Sequence, residues 1–442
     1  MSMSRPALAC AIGSGALAAS AVAQQRVGLA LALALVLAIA AGTLGSPRRA
    51  SRGLIALALA LTVQPLLLDA GWVVAVDVCA ALVAAAAAVG ALDEWPRVGH
   101  ALLAPLRLVG GTALVGRALH ALWPAIPQGH VRPIVRGLGC AAVLTFAFGG
   151  LFVTADSAFA ELLGRTFSFR LDTGQLVWRL ALGVAFVGIA GAVARNGMQR
   201  EASVDPGPRW VPGRVELTIA LSAVVVLFAA FVAVQVRVLF GGAGYVQATT
   251  GLGYGDYARQ GFVELLLVAG LALAVIAVAA RRADRSVRGL LAALCILTFV
   301  VLWSAHHRLD LVEDAYGFTR VRYAGHAVVA WLAALFGLVL AAGCHPAIGR
   351  RVPRIATTMT LAGVLAFSLS NPDARIAQRA VDRAAAGGPL DSGYLAGLSA
   401  DALPALEHLP PPERTAVLPA LRARLARTDG IAGLNLSRAR AR

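Results

Sequence analysis

The sequence predicts an all-α fold: a polytopic transmembrane helical bundle of about 10–11 spans with a small C-terminal extracytoplasmic helical segment. Three observations predict it. Hydrophobic residues make up 59% of the 442 positions and charged residues only 14%, with a mean hydropathy of +0.75 that a water-soluble domain could hardly hide. Long apolar runs recur along the whole chain, and strand-like alternation does not. Arginines collect in every second loop.

In order, the apolar segments run over 7–23, 27–45, 53–69, 72–92, 134–154, 175–194, 215–240, 260–280, 289–308, 322–343 and 355–369. The first, Ala/Gly/Ser-rich and ending ALAASAVAQQ, can be read as a signal peptide. Its n-region holds only Arg5 and another span follows at once, so it is read as a retained span. The chain then divides into N-terminal transmembrane helices (1–92), a cytoplasmic connection (93–133), a transmembrane core (134–369) and a helical tail (370–442). Pro96, Pro105, Pro124, Pro127 and Pro133 break the connection.

The net charge of +16 suggests nucleic acid only until its placement is followed. All 39 basic residues are arginine. One set of loops holds Arg48, Arg49 and Arg52, then Arg97, Arg107, Arg117 and Arg132, then Arg195, Arg200, Arg209 and Arg214. The same set continues with Arg281, Arg282, Arg285 and Arg288, and ends with Arg350, Arg351 and Arg354. The opposite loops hold only Arg26, Arg165, Arg170, Arg259 and Arg320. Most of the charge is therefore an orientation signal, and it implies no nucleic-acid partner. It puts residues 153–174, 241–259, 309–321 and the tail outside a cytoplasmic membrane.

The absence of lysine excludes a P-loop lysine, a Schiff-base lysine and a kinase-type lysine. The five cysteines have no CxxC spacing and read as reduced packing residues, with neither a disulfide framework nor a zinc site. No cofactor is implied.

The strongest functional lead is SAHHRLDLVEDAYG, where a span turns abruptly ionic. On a continuing helix His306, His307, Asp310, Glu313 and Asp314 share about one third of the circumference. Arg308, Leu309, Leu311, Val312 and Tyr316 take the remaining arc, and Gly317 offers a stop. Histidine and carboxylate one turn apart can bind a divalent metal or relay a proton, but HExxH is absent. The plainer reading is a helix end projecting from the bilayer, its charges paired with Arg308, Arg320 and Arg322.

Other outer-face residues join this candidate cluster. The loop from Gly241 to Tyr257 is rich in glycine and tyrosine, reads as a flexible connector, and carries Tyr254, Asp256 and Tyr257 ahead of Arg259 and Glu264. Asp156, in LFVTADSAFAELL, is placed to cap a helix beginning at Ser157. Within spans Asp77, Glu216, Gln235, Arg237 and Glu264 stand out, because ionised groups in hydrocarbon face a partner or a cavity. In the tail, Asn371-Pro372 starts a helix, Gly387-Gly388-Pro389 stops it, Ser399 can cap a second, and Pro411-Pro412 precedes a third with Val417, Leu421 and Leu425 on one face.

LFVTADSAFAELL, GLGYGDYARQGF and SAHHRLDLVEDAYGFTRVR, with NPDARIAQRA and LDSGYLAGLSADALPAL in the tail, carry a family likeness. The chain resembles a bacterial polytopic membrane family known as domain of unknown function four-one-seven-three, related to four-one-five-three. The resemblance implies membership and no reaction. Three classes stand: a non-enzymatic protein whose outer face and tail (370–442) engage an envelope partner or sense a condition, a proton-coupled transporter or channel, and a membrane-embedded metal-dependent enzyme. No catalytic residue is assigned, and the stripe's capacity for metal is left open.

Overall fold

The computed structural model describes residues 5–23, 28–45, 51–89, 131–166, 213–250, 261–280, 284–426 and 430–441. No strand occurs among them. The expected span at 175–194, the connection at 93–130, and Tyr254, Asp256, Tyr257 and Arg259 lie outside the described residues. Helices α1 (Arg5–Ala23), α2 (Leu29–Gly45), α3 (Arg52–Leu67), α4 (Gly71–Ala88), α5 (Val131–Ala155) and α6 (Ser157–Thr166) come first. They are followed by α7 (Arg214–Thr250), α8 (Phe262–Ala279), α9 (Arg285–Tyr316), α10 (Arg320–Cys344) and α11 (Val352–Leu369). The tail supplies α12 (Pro372–Ala385), α13 (Pro411–Leu425) and α14 (Leu436–Arg440), with single turns between them.

Among the described residues seven helices, α4, α5 and α7 to α11, are long and apolar enough to cross a bilayer, while α1, α2 and α3 are shorter apolar helices. α9, at 32 residues, is about 48 Å long, well beyond a hydrocarbon core of roughly 30 Å. Its polar C-terminal turns therefore have room to leave the bilayer. α7 continues to Thr250 across the glycine-rich run from Gly241, where the sequence suggested a connector.

The chain forms two compact units. One is built from Gly99–Ala315 and Val328–Val352. Its centre is aromatic: Phe152 of α5 stacks on Phe231 of α7 with centroids 4.0 Å apart, Phe159 and Phe228 meet these rings edge-on, and Phe148 meets Phe228 in the same way. Leu265 and Ala269 of α8, Leu294 and Val301 of α9, and Phe336 of α10 extend this core.

The other unit is built from Met1–Val98, Tyr316–Ala327 and Pro353–Arg442. Here α3 and α4 are antiparallel, joined by the short turn at Leu68–Ala70, and close through Ala58, Leu61, Ala81 and Ala84 with Ile39 and Leu361. Small residues at that contact let the backbones approach. The tail has a hydrophobic core of its own, with Ile376, Leu398, Leu406, Leu409, Val417 and Leu421 fully or almost fully buried. It docks where α3 ends and where α4 and α10 begin. Arg52, beside the end of α4, marks the opposite end of the α3–α4 pair.

The tail helices start and stop as expected. Asn371 Oδ1 accepts from Ala374 N at 3.4 Å, and α13 buries Val417, Leu421 and Leu425. Ser399 differs. It occupies the cap position of the turn Ala400–Ala402, but its hydroxyl donates to Asp401 instead of capping, and Asp391 caps the turn of helix at Ser392–Ala396.

Candidate functional site

The stripe on α9 forms as a helix that ends at Tyr316, ahead of Gly317 at φ +78°. His306 Nε2 lies 3.6 Å from Asp310 Oδ2, one helical turn on, with both side chains more than 40% exposed. His307 is half-buried, and Asp314 and Tyr316 are exposed. Glu313 is buried. Arg322 lies over the Tyr316 ring, 5.9 Å from its centroid, and donates to the Gly317 carbonyl at 2.5 Å. Glu264 is half-buried in the first turn of α8.

Arg308 is the departure. It points away from the stripe and is only 3% exposed, the opposite of a surface partner for its neighbours. Its guanidinium ion-pairs with Asp156, itself 1% exposed. The same group donates to the Ala155 carbonyl at 2.8 Å and to Gln235 Oε1 at 3.3 Å. Gln235 Nε2 donates to Asp156 Oδ2 at 2.7 Å, and Ser304 Oγ donates to Gln235 Oε1 at 2.9 Å.

This network explains why α5 stops and α6 starts at a single residue. In an unbroken helix Phe159 N–H would bond the Ala155 carbonyl. Instead it donates to Asp156 Oδ1 at 2.8 Å, a side-chain cap, and Arg308 takes the freed carbonyl. Gly261 comes against that same carbonyl. At φ +80°, a Cβ there would stand 1.9 Å from the Ala155 oxygen, so only glycine fits. Asp156 accepts from Phe159, Gln235 and Arg308 together, which makes it a structural joint with no carboxylate oxygen left idle.

A second polar cluster fastens the tail. Asp373, at the start of α12, is fully buried and takes Arg320 in a fork: Nε to Oδ1 at 2.9 Å and Nη2 to Oδ2 at 2.5 Å. Trp72 Nε1 and Ser399 N also donate to it, at 3.2 and 2.9 Å. Burial alone would push the Asp373 carboxyl up, but the hydrogen bonds from Arg320 and Ser399 and the Arg320 charge outweigh it and hold it below the usual carboxylate range.

Asp401 Oδ2 accepts from Asp69 N and Ala70 N, both at 2.9 Å, at the mouth of α4. Asp69 reciprocates: its Oδ2 accepts from Ala400 N at 3.0 Å and its Oδ1 from Arg438 at 2.5 Å. Burial raises the Asp401 carboxyl, only partly offset by hydrogen bonds from Ser437, Ser399 and the Asp69 N–H. Asn435 Nδ2 donates to the carbonyls of Pro65 and Leu68, at 3.0 and 2.8 Å, filling acceptors that the end of α3 leaves open. The hydroxyl of Tyr394 accepts from Arg320 N at 2.6 Å.

Asp77 of α4 is fully buried, takes Ser368 Oγ of α11 at 2.5 Å on one oxygen, and has no hydrogen-bond partner on the other among the described residues.

Of the sequence candidates, then, Asp156 and Arg308 meet, His306 and Asp310 meet, and Arg320 belongs to the tail joint. Gln235 drew notice only as a polar residue within a span. Asp69, Asp373, Asp401, Asn435 and Arg438 were missed, although Asp373 and Asp401 lie inside the NPDARIAQRA and LDSGYLAGLSADALPAL patches.

Fold and site together define an integral, multi-pass, all-α membrane protein. A family model described as Domain of unknown function (DUF4153) matches residues 7–409, and the chain belongs to that family. No curated protein and no solved structure matches it.

Proposed function

We propose that this is a non-enzymatic protein of the cytoplasmic membrane whose tail is a rigid docking platform, on the outer side, for an envelope partner. The observation that carries the reading is the joint made by Asp69, Asp373 and Asp401. A segment with its own core, fastened by charged groups to helix ends, presents a fixed surface and does not trail as a linker. The tail docks on the arginine-free turn at Leu68–Ala70, which supports the outer side.

Photocrosslinking from exposed tail positions Gln378 and Ala416 in intact cells tests the partner. A discrete protein adduct is expected, and lipid adducts alone at both positions would refute it. Sidedness is read separately, from Ala416→Cys in a chain with the native cysteines replaced. An impermeant maleimide is expected to label intact cells, and labelling only after permeabilisation would reverse the orientation.

Asp77 favours a second reading, a proton-coupled transporter, because a buried acid with one oxygen unoccupied is the group such a cycle uses. Loss of proton flux in vesicles on Asp77→Asn, with the fold intact, would establish it. Unchanged flux would remove it.

A further inference from the structure

One stretch of the tail is inside out. Over residues 431–438 the large aliphatic side chains face outward: Ile431 is 84% exposed, Leu434 45% and Leu436 37%. The polar ones face inward, with Asn435 1% and Arg438 3% exposed. Lone exposed leucines are ordinary on any protein, but an outward apolar row backed by a buried amide and a buried guanidinium inverts the arrangement that water selects.

The location of the row says what replaces water. Leu29 N, in the first turn of α2, donates to the Leu434 carbonyl at 3.0 Å. Gly28 lies so close beneath that a Cβ there would stand 2.7 Å from the backbone of Gly433 and Leu434. On the other side Asn435 bonds the last carbonyls of α3. The segment therefore lies across the ends of two apolar helices, whose aliphatics within two turns of those ends, Leu33 of α2 and Val63 and Leu67 of α3, are exposed as well. Arg440, exposed at the end of α14, follows Leu436 by about one helical turn.

We infer that residues 431–440 lie in the boundary layer of the bilayer itself, with Ile431, Leu434 and Leu436 among acyl chains at the glycerol level and Arg440 at the headgroups. The tail is thus held twice, by its polar joint to the helix ends and by this strip to lipid. The strip is independent of any envelope partner.

The test uses the full chain with its native cysteines replaced and one cysteine introduced at Ile431, Leu434 or Leu436. Each is nitroxide-labelled in phosphatidylethanolamine–phosphatidylglycerol vesicles. Ala416→Cys serves as the aqueous reference. Collision with oxygen is expected to exceed collision with a water-soluble nickel chelate at all three positions, and the ratio is expected to invert at Ala416. A chelate-dominated response at all three would put them in water and overturn the inference. So would protection from both relaxants, which would mean that a second copy or another protein covers the row. The crosslinking positions Gln378 and Ala416 lie outside the strip, so the partner reading and this one can fail separately.

Discussion

The two charged joints of this protein solve one problem in different surroundings. The joint among α5, α6, α7 and α9 holds one carboxylate and one guanidinium, Asp156 and Arg308, and completes its hydrogen bonds with the neutral side chains of Gln235 and Ser304. The tail joint uses three aspartates, two arginines and a row of backbone N–H groups at helix starts. At the first joint charge balances within a single contact, because both ionised groups are cut off from water. At the boundary, helix N-termini supply part of the positive potential, so an excess of acid is tolerated.

The largest effect should come from unbalancing the first joint. Arg308→Met leaves Asp156 buried without its counter-charge, and a loss of about 3–5 kcal/mol is expected. Thermal unfolding in detergent should recover much of that in the double variant Arg308→Met/Asp156→Asn. A double variant as unstable as the single would show that the ion pair is not the source. At the tail joint Asp373→Ala should cost about 1–3 kcal/mol, less because Arg320 is one-third exposed and can turn to water. Limited proteolysis should then release the tail while the other unit stays resistant.

Acidification separates the carboxylates of the tail joint from each other. Asp373 is held below its ordinary value of 3.8, so its contribution is complete above that pH and is lost as pH falls through the lower, folded-state value. Asp401 is held above 3.8, so its charged form is disfavoured in the folded state. Docking therefore strengthens as pH falls from neutral through that raised value, then weakens below about pH 4 as Asp373 protonates. Asp401→Asn should abolish the rise and keep the fall, read as melting temperature against pH. A rise that survives the substitution would exonerate Asp401.

Asn435→Ala, which removes two donors from the end of α3, is expected to cost about 1–2 kcal/mol. His306→Ala should cost least, about 0–1 kcal/mol, since its pairing with Asp310 is exposed. A loss as large as that of Arg308→Met would restore the stripe as the structural centre.

What could be read in advance was local. Hydropathy marked the spans, Asn371-Pro372 marked the start of α12, and Asp156 was placed correctly as a cap. The helical wheel even put Arg308 on the same arc as Leu309 and Val312, which are buried with it. Its partner was misjudged because the nearest acids in sequence were the natural choice, whereas Asp156 lies 152 positions away. Periodicity reports which way a side chain points and is silent about what it meets. Ser399 illustrates the same limit: the cap position was right, but the hydroxyl donates to Asp401 two residues on and accepts no N–H of the turn.

The bond from Asp401 to the backbone of Asp69 closes across 332 positions. At ribosomal speeds of roughly 5–20 residues per second, the turn between α3 and α4 waits on the order of half a minute after emerging before its acceptor exists. Until then two main-chain donors at the mouth of a membrane helix depend on solvent. Completion of that early hairpin is thus an event of late synthesis, and a nascent chain stopped short of Asp401 leaves that corner unfinished.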